Sequence, residues 1–283
     1  KFLALKQVFE KLYLWLNLLE WSHYGDTLLT FLFIQNDFKL IMERQIMKTI
    51  IKIIAFFTLL ITTSSAYALQ GLNVITITTD DPQGYMKWLT ESQPVFQAAQ
   101  GDNALAQGIC SPSAGGVNVN EHYVWTVAPS VSAMMGNSEF FTDKNVNRAI
   151  KKIASKREVI RRDLMFVIKS NEIGGLGTTT ANYNLISSTK DVSGYAAALT
   201  RMEEAAGKNG FDDISVALWG SVTSGDRAGT VMASVQAPTS ERLGAFFDQR
   251  NSSWMIEAMS SFDSIRTPVV DFMMQCTTLS VNN

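Results

Sequence analysis

Asp81-Pro82-Gln83-Gly84-Tyr85-Met86-Lys87-Trp88-Leu89-Thr90 returns later in the chain as Asp191-Val192-Ser193-Gly194-Tyr195-Ala196-Ala197-Ala198-Leu199-Thr200. Asp, Gly-Tyr and Leu-Thr recur at one constant offset. Further pairs follow in the same order: Ala128-Pro129-Ser130 with Ala237-Pro238-Thr239, Phe140-Phe141 with Phe246-Phe247, and Ile160-Arg161 with Ile265-Arg266. The offset drifts slowly along the series, as a duplication with small insertions and deletions leaves it. Solenoid repeats are much shorter, about 20–50 residues, so two long copies make tandem domains.

Periodicity and punctuation give each copy the same elements. In copy one, Asn73–Thr79 is β-branched and alternating, which predicts a strand. Asp81 is a good N-cap and Pro82 suits the first helical turn, where its missing N–H costs nothing. Tyr85, Trp88, Leu89 and Phe96 continue at helical spacing, and Pro94 is expected to bend or break that helix. Strands at 104–110 and 122–127 follow, joined by a loop around Gly115-Gly116. A helical region from Ser130 to Ile153 and a strand at 163–169 complete the copy. Copy two repeats the order: strand 182–188, helix 192–208, strands 214–222 and 230–236, an interrupted helix 240–262, and strand 269–278. Residues 173–180, with Gly174-Gly175-Leu176-Gly177, have linker composition. The units are thus expected at 69–172 and 181–283.

Upstream of the first copy lies a different kind of segment. Met47-Lys48-Thr49-Ile50-Ile51-Lys52 is a short basic start, Ile53 to Ile61 is apolar, and Thr62-Thr63-Ser64-Ser65-Ala66-Tyr67-Ala68 ends on Ala-x-Ala. These are the three parts of a secretory signal peptide, read here as residues 47–68 with cleavage after Ala68. The apolar run is about half the roughly 20 residues that span a bilayer. Residues 1–46 are read as an upstream extension ahead of a start at Met47 or Met42. Their apolar patches, Leu12–Leu19 and Leu28–Ile34, are each too short to cross a membrane. The expected location is exported, periplasmic or extracellular, with no stable membrane insertion after processing.

The order β-α-β-β-α-β, twice, defines an α+β fold of split-βαβ, ferredoxin-like units. Each sheet carries helices on one face and must bury the other, which two tandem copies do against each other. The pattern resembles the dimeric α+β barrel superfamily, which includes antibiotic-biosynthesis monooxygenase-like, EthD-like and stress-responsive barrel proteins. Here two copies are fused, which implies a pseudo-dimeric α+β barrel. The resemblance covers nearly all of residues 69–283 but rests on element order and duplication. Gly225-Asp226-Arg227-Ala228-Gly229 and Ala237-Pro238-Thr239-Ser240-Glu241-Arg242 also resemble exported bacterial proteins of unassigned activity.

Chemistry is sparse. The chain carries 24 Lys+Arg against 26 Asp+Glu, net −2, and no basic patch to neutralise phosphates, so nucleic acid is not an expected partner. No His/Cys cluster has the spacing zinc needs, so neither metal nor cofactor is expected. Gly174-Gly175-Leu176-Gly177 lacks the ending of a phosphate cradle. Beyond residue 68 the sole histidine is His122. Haem-binding members of the superfamily use an axial histidine, but His122 aligns with Val231 in the set Val124, Thr126, Ala233 and Val235, the side expected under helices.

The alternate strand face carries Tyr123 and Trp125, matched by Met232, Ser234 and Gln236. Trp219 joins from a neighbouring strand, with Asn184 and Arg161 as polar members. If that face lines the barrel, it forms an aromatic cavity with a few polar groups, the usual make-up of a small-molecule site; plain core filling is the other reading. The two cysteines, Cys110 and Cys276, lie in edge strands that meet when the barrel closes. In an exported protein a disulfide is then allowed, with two buried free thiols as the alternative. The expected function is an exported binder of a small apolar or aromatic molecule. The alternatives are a cofactor-independent monooxygenase- or isomerase-like enzyme, and a structural or interaction module. A homo-oligomer is compatible with all three.

Overall fold

The computed structural model describes residues 69–282 apart from 117, 119, 172 and 173, and the backbone alone at 137 and 138. The expectations for residues 1–46 and for the signal peptide at 47–68 lie outside the described residues. Eight strands form a closed barrel in the order β1-β3-β2-β8-β5-β7-β6-β4. They are β1 (Gly71–Thr78), β2 (Ala106–Gly115), β3 (Glu121–Ala128), β4 (Glu158–Lys169), β5 (Thr179–Thr189), β6 (Ser215–Thr223), β7 (Thr230–Ala237) and β8 (Arg266–Val281). All neighbours are antiparallel. The helices are α1 (Pro82–Gln100), α2 (Val131–Gly136), α3 (Lys144–Lys151), α4 (Val192–Lys208), α5 (Ser240–Asp248) and α6 (Ser253–Ser260).

The strand order reads 4-1-3-2 through the first copy and 8-5-7-6 through the second, the same arrangement twice. Ladders β2–β8 and β4–β6 join the two halves and close the barrel, so no sheet edge is left open. Helices pack on the outer face of each half. Tyr85, Trp88, Leu89, Phe96 and Val146 make one outer core, and Tyr195, Leu199, Leu243, Phe246 and Phe262 make the other.

The repeated Asp…Gly-Tyr has a physical cause. Asp81 and Asp191 cap α1 and α4 by accepting from the backbone N–H of Gly84 (2.9 Å) and Gly194 (2.8 Å). A Cβ on either glycine would collide with that carboxylate, so a larger residue there would displace the cap. The following tyrosines, Tyr85 and Tyr195, are buried, and each hydroxyl accepts from an arginine: Arg157 at 2.9 Å and Arg266 at 2.8 Å. Arg266 therefore corresponds in place to Arg157, not to Arg161 as the paired Ile-Arg dipeptides suggest. Thr79 and Thr189 repeat too, each hydroxyl donating to a backbone carbonyl, of Lys156 and Ile265, at 2.8 Å.

Three local expectations are corrected. α1 runs through Pro94 without a break. The carbonyl that loses its partner is that of Thr90, on the exposed side of the helix, where water can replace the bond. The helical region after Ser130 splits into α2 and α3 joined by a 3₁₀ turn. And β5 starts at Thr179, inside the stretch of linker composition, because Thr179 and Thr180 pair with Thr277 and Cys276.

Candidate functional site

Strand alternation divides the side chains of the barrel between an outer, helix-covered face and the lumen. Tyr123, Trp125 and Val127 of β3 point into the lumen, while Val124 and Thr126 line a recess beneath the first copy's helices. His122 has the same parity as Val124, is buried, and bonds through Nδ1 to Ser111 Oγ at 3.0 Å. Burial lowers its pKa below the ordinary imidazole value. It cannot reach the lumen, so a haem there would find no histidine among the described residues. Those residues also hold no cluster of three or more His, Cys, Asp or Glu that could bind a metal.

The lumen encloses a cavity of about 140 Å³. Tyr123, Trp125, Trp219, Asn184 and Arg161, the side chains singled out from the sequence, all line it, as do Cys110 and Cys276. Trp125 lies across Gly108 of the neighbouring strand, where a Cβ would collide with the indole. Tyr123 stacks on Phe272 with centroids 5.4 Å apart. Val74, Met165, Met232 and Ile186 complete an apolar belt. Cys110 and Cys276 face each other across β2–β8 with Cα atoms 3.9 Å apart and are joined in a disulfide.

The polar members sit in this belt with unusual bonding. Arg161 donates through Nε to Asp163 Oδ2 at 2.8 Å. Its Nη2, and Asp163 Oδ1, are buried with no partner among the described residues. Thr76 Oγ1 and both amide atoms of Asn184 are in the same state. Thr76 pairs in register with Tyr123 on one side and Arg161 on the other, which sets the three side by side. Arg227, from the β6–β7 turn, reaches the same end of the lumen. Burial lowers its pKa, and the neighbouring Arg161 charge lowers it further. Tyr123 donates to Glu121 at 3.1 Å, and burial, then the Glu121 charge, push its phenol up to about 12 against the opposing pull of Arg227 and Arg161.

Sequence reasoning missed Asp163, Thr76 and Arg227. Asp163 stands two residues from Arg161 on one strand, so the period of two would have found it. Thr76 is in phase with Val74 on β1. Arg227 lies in a turn, where no periodicity fixes a side-chain direction.

No protein-family model and no curated protein matches the chain. Among solved structures, a candidate monooxygenase of Fusobacterium nucleatum aligns at TM-score 0.48 and 11% identity, over 77% of this chain and 95% of that one. A heme-binding protein of Thermus thermophilus aligns at TM-score 0.44 and 6% identity, over 74% of this chain and 91% of that one. A variant chlorite dismutase of Candidatus Nitrospira defluvii gives TM-score 0.45 and 11% identity, over 74% and 92%. In element order and barrel closure the chain resembles dimeric α+β barrel proteins. Identities and scores this low bear on nothing that this chain binds or does.

Proposed function

We propose that the protein is an exported binding protein whose barrel lumen holds one small, largely aromatic molecule. One observation carries the reading: aromatic walls enclose buried polar atoms that lack partners, those of Asn184, Arg161 and Asp163. A buried polar group left unpaired costs roughly 1–3 kcal/mol. A ligand that satisfies such groups recovers that cost on binding. The cavity, about 140 Å³, suits a single ring: an apolar cavity of about 150 Å³ in another protein takes benzene.

Export is part of the proposal, with processing after Ala68; the Cys110–Cys276 bridge supports it, since disulfides persist in oxidising compartments. So is descent from two fused ferredoxin-like units, supported by the repeated caps and strand order. The buried Asp163, with one uncommitted oxygen against the cavity, favours as second reading a cofactor-independent enzyme that uses it as a base.

The test is a titration of the purified protein with toluene and phenol, followed by tryptophan fluorescence. Saturable quenching that Ser234→Phe abolishes, by filling the lumen beside Asn184, is expected. Binding that survives this substitution unchanged would place the ligand elsewhere and reject the reading.

A further inference from the structure

The two halves share a backbone plan but not a lumen lining. By register, Thr76 of copy one stands where Ile186 stands in copy two, each pairing with its β3-type partner, Tyr123 or Met232. Arg161, opposite Thr76, has Val270 as its counterpart, opposite Ile186. In turn, the paired Val74 and Trp125 of copy one correspond to the paired Asn184 and Ser234 of copy two. Polar and apolar positions have been exchanged between the copies. A lumen built this way has a charged end contributed by Arg161 and Asp163, and an amide region contributed by Asn184.

Resting on the lumen-binding reading, we infer that the ligand is a small aromatic carboxylate, its acid group held at the Arg161–Arg227 end and its ring between Trp125 and Trp219. Two guanidinium groups share that end; Asp163 is bonded to Arg161, and the Asp226 carboxylate acts on Arg227 from the turn. Glu121 is already committed to Tyr123 and to Asn118. Arg161 lines the cavity, and its Nη2 is a buried donor without an acceptor among the described residues. A carboxylate supplies two acceptor oxygens, which match the unfilled Arg161 N–H and the Arg227 guanidinium. A guanidinium is the side chain best shaped to receive it, because its planar N–H groups meet both oxygens at once. Asp163 Oδ1 is the one uncommitted acceptor at this end, and it takes a donor from bound water or from a ring substituent. Asn184 offers both a donor and an acceptor, which suits a hydroxyl on the ring.

The experiment compares benzoate, 4-hydroxybenzoate and toluene on the purified protein by calorimetry and tryptophan fluorescence. Benzoate is expected to bind at least 10-fold more tightly than toluene, and 4-hydroxybenzoate more tightly still. Arg161→Gln should weaken benzoate at least 10-fold while leaving toluene within about 2-fold. Because Arg161→Gln also strands Asp163, Arg227→Gln serves as the second variant. The Arg227 side chain makes no hydrogen bond among the described residues, and its removal should lower benzoate affinity with unchanged circular dichroism. Toluene binding as tightly as benzoate, or benzoate affinity indifferent to both variants, overturns the carboxylate assignment and leaves the lumen reading standing. Failure of all three probes to bind overturns both.

Discussion

Replacing Cys110 and Cys276 together by alanine removes the one covalent link across the β2–β8 seam. Alanine is the better choice than serine, since both sulfurs line the lumen and two new hydroxyls there would be buried without partners. The bridge closes a loop with a sequence separation of 166 residues. Loop-closure entropy for a chain of that length gives the native state an advantage of about 5 kcal/mol. Residual structure in the unfolded chain trims this figure, and about 3 kcal/mol is a reasonable floor. With a urea dependence of roughly 2 kcal/mol/M, the unfolding midpoint should fall by about 1.5–2.5 M. Equilibrium urea denaturation without reductant, followed by far-ultraviolet circular dichroism, measures it. Thiol titration of the denatured, unreduced parent should find no free thiol. A loss below about 1 kcal/mol would show that the β2–β8 ladder holds the seam without the bridge, and the reasoning would fail.

Three further outcomes are expected. Trp219→Ala should destabilise the barrel more than Trp125→Ala, because Trp219 is 9% exposed while Trp125 is only partly buried against the cavity; the costs should be about 3 and about 2 kcal/mol, at or below the usual range for a buried tryptophan, and equal or reversed losses in urea denaturation would contradict the lumen geometry. Stability should fall as pH rises from about 10 to about 12: Tyr123 and Tyr183 have phenols pushed up to about 12 by burial and by their Glu121 and Asp271 partners, so the unfolded chain gives up those protons first; a flat stability profile across that window would refute the pairing of these phenols with Glu121 and Asp271. N-terminal sequencing of the protein recovered outside the cytoplasm should read Leu69 first, and a chain beginning before Met47 would refute both the processing site and the proposed start.

The fold was legible because two independent signals agreed. The repeat fixed how many units there are, and period-two strands fixed which side chains share a face. Hence Tyr123, Trp125 and Trp219 could be assigned to one surface before any coordinates, and His122 to the other. The same logic failed where the backbone is not periodic: Arg227 lies in a turn, and its aim depends on how the β6–β7 hairpin leans over the lumen. Pro94 misled for another reason. A proline rule written for buried helices overstates the cost when the orphaned carbonyl faces water, as that of Thr90 does. Ile160-Arg161 paired falsely with Ile265-Arg266 because sequence identity at a dipeptide outweighed position. The tyrosine–arginine contact, which equates Arg157 with Arg266, becomes visible only in three dimensions. Asp163 was legible too, since it lies two positions from Arg161 on one strand and so shares its face.

Native mass spectrometry of the protein purified from its natural host tests the central claim most directly. The account expects one small molecule per chain, released on denaturation, and lost from the Ser234→Phe variant whose lumen is filled. The same adduct on that variant, at the same occupancy, would contradict it.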